Sequence, residues 1–159
     1  VIVIDANTGS EISRFAGEQP AWSPDSNELI IKSCLPDCGL WRVGVDGGGA
    51  RIVTRDSSDS YPSWSPVDDS IVFTSRRTGD WELYRLFFGS ENPIQLTDRS
   101  GSDTPPVFSP DGLEIYLRTD AFGAWRVMAI SAADGSQERL VQDDVGVSND
   151  WGLARPAVK

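Results

Sequence analysis

Short apolar runs of four or five residues alternate with polar, turn-forming stretches along most of the chain. Leu29-Ile30-Ile31-Lys32-Ser33, Ile71-Val72-Phe73-Thr74-Ser75 and Ile115-Tyr116-Leu117-Arg118-Thr119 are rich in β-branched and aromatic residues and are bounded by turn residues, which predicts strands buried on both faces. Each is followed by a second run, Leu40-Trp41-Arg42-Val43, Leu83-Tyr84-Arg85-Leu86 or Val127-Met128-Ala129-Ile130. A Gly- or Asp-containing turn then leads to a short edge strand, Arg51-Ile52-Val53-Thr54, Ile94-Gln95-Leu96-Thr97 or Arg139-Leu140-Val141. From Trp41 to Thr54, Tyr84 to Thr97 and Met128 to Val141 the distance is 13 residues each time. No long amphipathic helical pattern interrupts the series, so the chain reads as all-β.

One phrase precedes each set: Pro20-Ala21-Trp22-Ser23-Pro24-Asp25, Pro62-Ser63-Trp64-Ser65-Pro66 and Pro106-Val107-Phe108-Ser109-Pro110-Asp111-Gly112. Its aromatic residues lie 42 and 44 apart, and Trp151 follows Phe108 by 43. A period in the low forties built from strand-like segments predicts a β-propeller, in which each repeat is one blade that buries its faces against its neighbours. The prolines punctuate strand ends and Ser-Pro-Asp-Gly supplies tight-turn chemistry, while Trp22, Trp64, Phe108 and Trp151 are expected to pack between blades.

Three complete four-stranded blades are expected at about 16–57, 58–100 and 101–145 within a single domain, 1–159. Residues 1–15 and 146–159 are expected to form a partial fourth blade shared by the termini. There Val1 to Asp5 is a third strand, Glu11 to Phe15 an outer strand and Asn149 to Gly152 an innermost one. The second strand of that blade would start near Val158, yet the sequence stops at Lys159, and Pro156 sits poorly in a central strand. The ring then either closes with four blades or is a segment or half of a larger ring.

The repeated phrase resembles the TolB-like propeller repeat, whose blades open with Pro-x-Trp-Ser-Pro-Asp-Gly and close near a Leu-Thr pair, as Leu96-Thr97 does. The resemblance covers residues 16–152. It departs from the pattern at Val67, in place of Asp, at Ser26 and Asp68, in place of Gly, and at Phe108, in place of Trp, so the turns of individual blades are open. It implies a scaffold in an envelope or surface assembly. The same fold also serves as the gating domain of peptidases and as a sensor module, and fold alone does not choose between these.

Charge and composition narrow the function. A net charge of −10 disfavours nucleic acid and anionic membrane surfaces and favours a cationic ligand or a basic protein surface. No apolar run approaches the ~20 residues needed to span a bilayer, and no basic-then-apolar leader precedes the first strand; the chain opens with Val1-Ile2-Val3-Ile4-Asp5, like the middle of a repeat, so a piece cut from a longer protein is expected. Cys34 and Cys38 flank a predicted hairpin tip, where a disulfide is favoured over free thiols or metal ligands, which points outside the cytoplasm. The chain has no His, which excludes Ser-His-Asp and Cys-His catalysis and His-ligated metals. Lys is limited to Lys32 and Lys159, and Asp46-Gly47-Gly48-Gly49 is a hairpin turn rather than a phosphate loop.

Strand direction puts the outer-to-inner connections, with Asp56, Asp59, Asp98, Asp103, Asp143 and Asp144, on the same face as the hairpin tips, with Asp37, Arg76, Arg77, Asp80 and Asp120. Asp59 and Asp103 each lie five residues before a blade aromatic, near the channel mouth, where a ring of carboxylates would attract Ca²⁺ or a cationic peptide end; the bland reading is solvated surface loops. Tyr61, Trp81, Phe122 and Trp125, with Arg76 and Arg77, have the composition of a protein-binding patch, although Trp81 and Trp125 align and a shared packing role is equally open. The leading expectation is a non-catalytic, extracytoplasmic module that binds a protein or peptide and needs no cofactor. The alternatives are a unit that self-assembles through its incomplete blade, and a Ca²⁺-binding or carbohydrate-active propeller.

Overall fold

The computed structural model describes residues 1–143; Asp144, Trp151 and the expected strand at Asn149 to Gly152 lie outside the described residues. Fourteen strands and no helix are found among the described residues. The first two, β1 (Ile2–Ile4) and β2 (Glu11–Arg14), form an antiparallel pair. Three four-stranded sheets follow, each an up-and-down meander. Blade 1 holds β3 (Glu18–Trp22), β4 (Glu28–Cys34), β5 (Cys38–Gly44) and β6 (Arg51–Ile52). Blade 2 holds β7 (Ser60–Trp64), β8 (Ser70–Ser75), β9 (Glu82–Phe87) and β10 (Ile94–Gln95), and blade 3 holds β11 (Val107–Phe108), β12 (Glu114–Thr119), β13 (Arg126–Ser131) and β14 (Arg139–Gln142). The register repeats with the sequence: Leu29 faces Val43, Ile71 faces Leu86 and Ile115 faces Ile130.

The Ser-Pro-Asp phrase builds the turn between the first two strands. Ser23 Oγ donates to Asp25 Oδ1 at 2.6 Å and accepts from the Glu28 N–H at 3.0 Å; Ser109 does the same with Asp111 and Glu114 at 2.6 and 2.9 Å. These hydrogen bonds hold Asp25 down to about 2 and also lower Asp111. Both carboxylates therefore favour the fold above the usual aspartate value and lose that contribution as pH falls through their lowered ones. Ser26 occupies the glycine position with φ of 60°, close to the 72° of Gly112, so the first blade keeps the turn at the cost of a left-handed non-glycine residue. In blade 2, where Val67 replaces the aspartate, Asp68 accepts the hydroxyl of Ser70 instead.

Upstream of the motif, β3 and β7 each carry a bulge, with Gln19 and Tyr61 at φ of 52° and 50°. Proline follows immediately, at Pro20 and Pro62, where the ladder is already interrupted and a missing N–H costs little. Blade 3 has Pro105 at the bulge position. Its ring forbids positive φ, and β11 begins only at Val107. In blades 1 and 2 the threonine that ends the outer run closes the blade by a side-chain bond: Thr54 Oγ1, after Val53, accepts the Leu40 N–H at 3.1 Å, and Thr97 Oγ1, after Leu96, that of Leu83 at 2.9 Å. Cys34 and Cys38 face each other across the β4–β5 tip and are joined by a disulfide.

The core is a series of layers between blades. Leu29, Ile31 and Val43 of blade 1 pack back against Val3 and Phe15, while Ile30 and Leu40 pack forward against Trp64, Ile71 and Phe73. Val72, Leu83 and Leu96 of blade 2 pack forward in the same way against Phe108, Ile115 and Ile130. Stability is therefore held in nearest-neighbour contacts, as in other repeat folds. Trp64 and Phe108 are buried in these layers as expected. Trp22 is 51% exposed, because the unit before it contributes only β1 and β2 among the described residues and supplies no inner strand to cover the ring.

Candidate functional site on the loop face

Asp59 and Asp103 do not form an open carboxylate ring. Asp59 is fully buried and its Oδ1 accepts from Arg77 Nη2 at 2.6 Å; Asp103 is 1% exposed and its Oδ2 accepts from Arg99 Nε at 2.8 Å. The repeat places both beneath the loops, where a carboxylate must find a cation to be tolerated. Among the described residues no group of three or more acids or cysteines is placed to hold a metal ion. Arg77 is correspondingly turned inward, over the rings of Tyr84 at 4.7 Å and Phe73 at 5.4 Å, and is a structural cation rather than part of an exposed patch.

Of the other predicted residues, Arg76, Trp81 and Phe122 meet at the junction of blades 2 and 3, and Trp125 and Tyr61 lie outside it. The Trp81 carbonyl accepts the Asp103 N–H at 2.7 Å, and Asp120 Oδ1 accepts the Ser102 N–H at 2.6 Å, so three loops are tied together. On this platform Arg76 lies 5.6 Å from the Trp81 ring. Phe122, 47% exposed, lies 5.8 Å from Arg99 and 5.2 Å from Arg126, and Trp125 lies 4.9 Å from Arg118. Tyr61 stands apart from them. Its N–H donates to Gln19 Oε1 at 2.8 Å, and it lines a groove of about 460 Å³ with Trp22, Pro20, Pro62, Pro106 and Val107.

Under the platform, Glu82 is 2% exposed and accepts from the Thr97 hydroxyl and from the Arg99 N–H. Burial is the main cause that raises its pKa above the ordinary 4.5, and the nearby Asp103 charge adds to it, against the two hydrogen bonds. A raised carboxyl favours the fold below the unfolded value and loses that contribution as pH rises through the folded one. Glu82→Gln is therefore expected to gain stability relative to the parent as pH rises from about 4 to 7. Urea titrations at several pH values read the difference, and a constant difference refutes the shift.

No family model matches the chain. Among curated relatives, the Tol-Pal system protein TolB of Anaeromyxobacter dehalogenans is 30% identical over 119 residues, covering 71% of this chain and 27% of the relative. The crystal structure of TolB from Acinetobacter baumannii superposes with a TM-score of 0.77 at 22% identity, over 89% of this chain and 37% of that one. The blades are TolB-like. The chain spans between 17% and 37% of the length of the curated relatives it matches. The crystal structure of puromycin hydrolase shares the fold at a TM-score of 0.62 and 16% identity, over 79% of this chain and 20% of that one.

Two arginines that complete the TolB-like blade contacts escaped sequence reasoning. Arg42 lies over Trp64 at 4.9 Å and Phe88 at 4.5 Å, and Arg85 lies over Phe87 at 4.6 Å and Phe108 at 5.6 Å. Each stands one residue after the third-strand aromatic, Trp41 or Tyr84, and meets the motif aromatic of the next blade. The signal was present as an arginine recurring at one repeat position among apolar neighbours.

Proposed function

We propose that the chain is a non-catalytic, extracytoplasmic module that binds a protein or peptide partner on its loop face. The observation that carries this reading is the platform at the junction of blades 2 and 3, where half-exposed Phe122 is flanked by Arg99 and Arg126 next to Trp81 and Arg76. Aromatic and arginine side chains on fixed loops offer large contact area at low entropy cost. The name of the Anaeromyxobacter relative, a Tol-Pal system protein, supports a place in an envelope assembly, and the disulfide at the β4–β5 tip supports an oxidising compartment. The lack of histidine supports a binding rather than a catalytic role.

The test uses the Pal component of the Tol-Pal system as immobilised probe. Phe122→Ala and Trp81→Ala are each expected to weaken capture at least about tenfold while the melting temperature stays near that of the parent. Equal capture by parent and variants overturns the loop-face assignment. Failure of the parent chain to bind overturns the choice of partner.

A further inference from the structure

The two interblade junctions differ at their rims. Between blades 2 and 3 the turn that leaves β13 lies directly on the outer run of blade 2: a Cβ on Gly135 would stand 1.9 Å from the Leu96 carbonyl oxygen, so no side chain fits between them. Leu96 and Ala132 are buried there, and the Ala132 carbonyl accepts from Arg85 Nη1 at 2.5 Å. Between blades 1 and 2 the same backbone positions belong to Val53 and Phe88, which are only partly buried. The turn of blade 2 is one residue shorter, with eight positions from Leu86 to Ile94 against nine from Ile130 to Arg139. A Cβ on Gly89, in that shorter turn, would meet nothing within 4 Å, and Arg42 spends its hydrogen bonds on Glu28 of its own blade. A cleft of about 980 Å³ is left between two complete blades.

Its floor is apolar, with Val53, Leu86 and Phe88, and one wall is the continuous stretch 51–56, formed by β6 and the residues after it. Four arginines line the cleft, and two of them are committed. Arg42 is held by Glu28, and Arg77 by the buried Asp59. The other two are available. Arg51, 56% exposed, reaches Glu28 only at 3.5 Å, on a carboxylate that Arg42 already occupies; Arg55 pairs at 3.2 Å with Asp37, and those side chains are 70% and 60% exposed. Exposed pairs of this kind contribute little and exchange readily for a better-placed anion. Of the acids in the lining, Asp56 is turned to the N–H and hydroxyl of Ser58 at 2.8 and 2.6 Å, Asp69 lies 3.6 Å from Arg42, and Glu91 stands on the opposite turn. Blade 2 has Ile94 and Asp98 at the places of Arg51 and Arg55, so the repeat itself does not require these two arginines.

We infer that this cleft is a second binding site, one that takes an acidic segment of a partner protein. Apolar side chains of the segment pack on Val53, Leu86 and Phe88, and its carboxylates pair with Arg51 and Arg55. A guanidinium meets a carboxylate through two parallel hydrogen bonds, and charge complementarity of this kind selects the partner. A chain of net −10 repels an acidic segment over most of its surface, which leaves the cleft as the place where one can settle. The site uses none of the residues substituted in the loop-face test, so either reading can fail without the other.

A library of random short peptides, panned on the 159-residue chain and depleted on Arg51→Glu/Arg55→Glu, tests it. The retained peptides are expected to combine Asp or Glu with Leu, Ile or Phe. In anisotropy titrations a synthetic copy of the commonest one is expected to bind Arg51→Ala and Arg55→Ala about tenfold more weakly than the parent, at unchanged melting temperature, and to weaken as salt rises. Phe122→Ala is expected to bind it as the parent does. A selection that retains no peptide overturns the inference, as do retained peptides without an acidic residue, or binding that both alanine variants keep.

Discussion

Replacing Arg85 by alanine is expected to destabilise the protein by about 3 kcal/mol, read as a fall in the urea midpoint at unchanged slope. The side chain is 6% exposed and spends its donors in three directions: Ser70 Oγ at 3.1 Å, Asp68 Oδ2 at 2.5 Å and the Ala132 carbonyl at 2.5 Å. Only the last of these belongs to blade 3, and the guanidinium also lies over Phe108 of that blade. Truncation strips a buried carbonyl of its donor and empties the space over two rings, whereas Asp68, 38% exposed, regains solvent. Arg85→Lys is expected to recover little, since one ammonium cannot meet three acceptors set in a plane. A loss below about 1 kcal/mol removes Arg85 as a tie between the blades.

The strands of blades 1 to 3 were legible because their apolar runs recur at fixed offsets from the Pro-x-aromatic-Ser-Pro phrase, and the register of Leu29, Ile71 and Ile115 follows the same count. The turn was legible too, since Ser and Asp hydroxyl and carboxylate groups pair locally whatever surrounds them. Asp59 and Asp103 were misread. An aspartate between polar neighbours looks solvated in sequence, and only the layer of loops over each junction shows that it is sealed and paired. Trp22 failed for the converse reason: its own repeat is complete, and its exposure is decided by strands that another unit has to supply. Arg77 and Phe122 were equally good patch candidates in sequence, and the direction of the hairpin tip sent one inward and left the other half-exposed.

Arg77→Ala is expected to cost still more, about 3 to 5 kcal/mol, because it leaves the fully buried Asp59 without its cation. Asp59 Oδ1 holds Arg77 Nη2 at 2.6 Å, and Oδ2 is buried with no hydrogen-bond partner among the described residues, so no second donor stands ready to take over. Arg77 also covers Tyr84 and Phe73, so part of any loss comes from packing. The double variant Arg77→Met/Asp59→Asn separates the two contributions: methionine keeps much of the apolar volume and asparagine carries no charge to strand. If the unpaired carboxylate dominates, the double variant is expected to be more stable than Arg77→Ala by at least about 2 kcal/mol in urea titration. If the double variant is no better, the guanidinium acts through its contact with the rings, and Asp59 tolerates isolation by drawing in water. The first outcome makes the acids at this repeat position internal braces of the loop platform, which holds Trp81 and Phe122 in place from below.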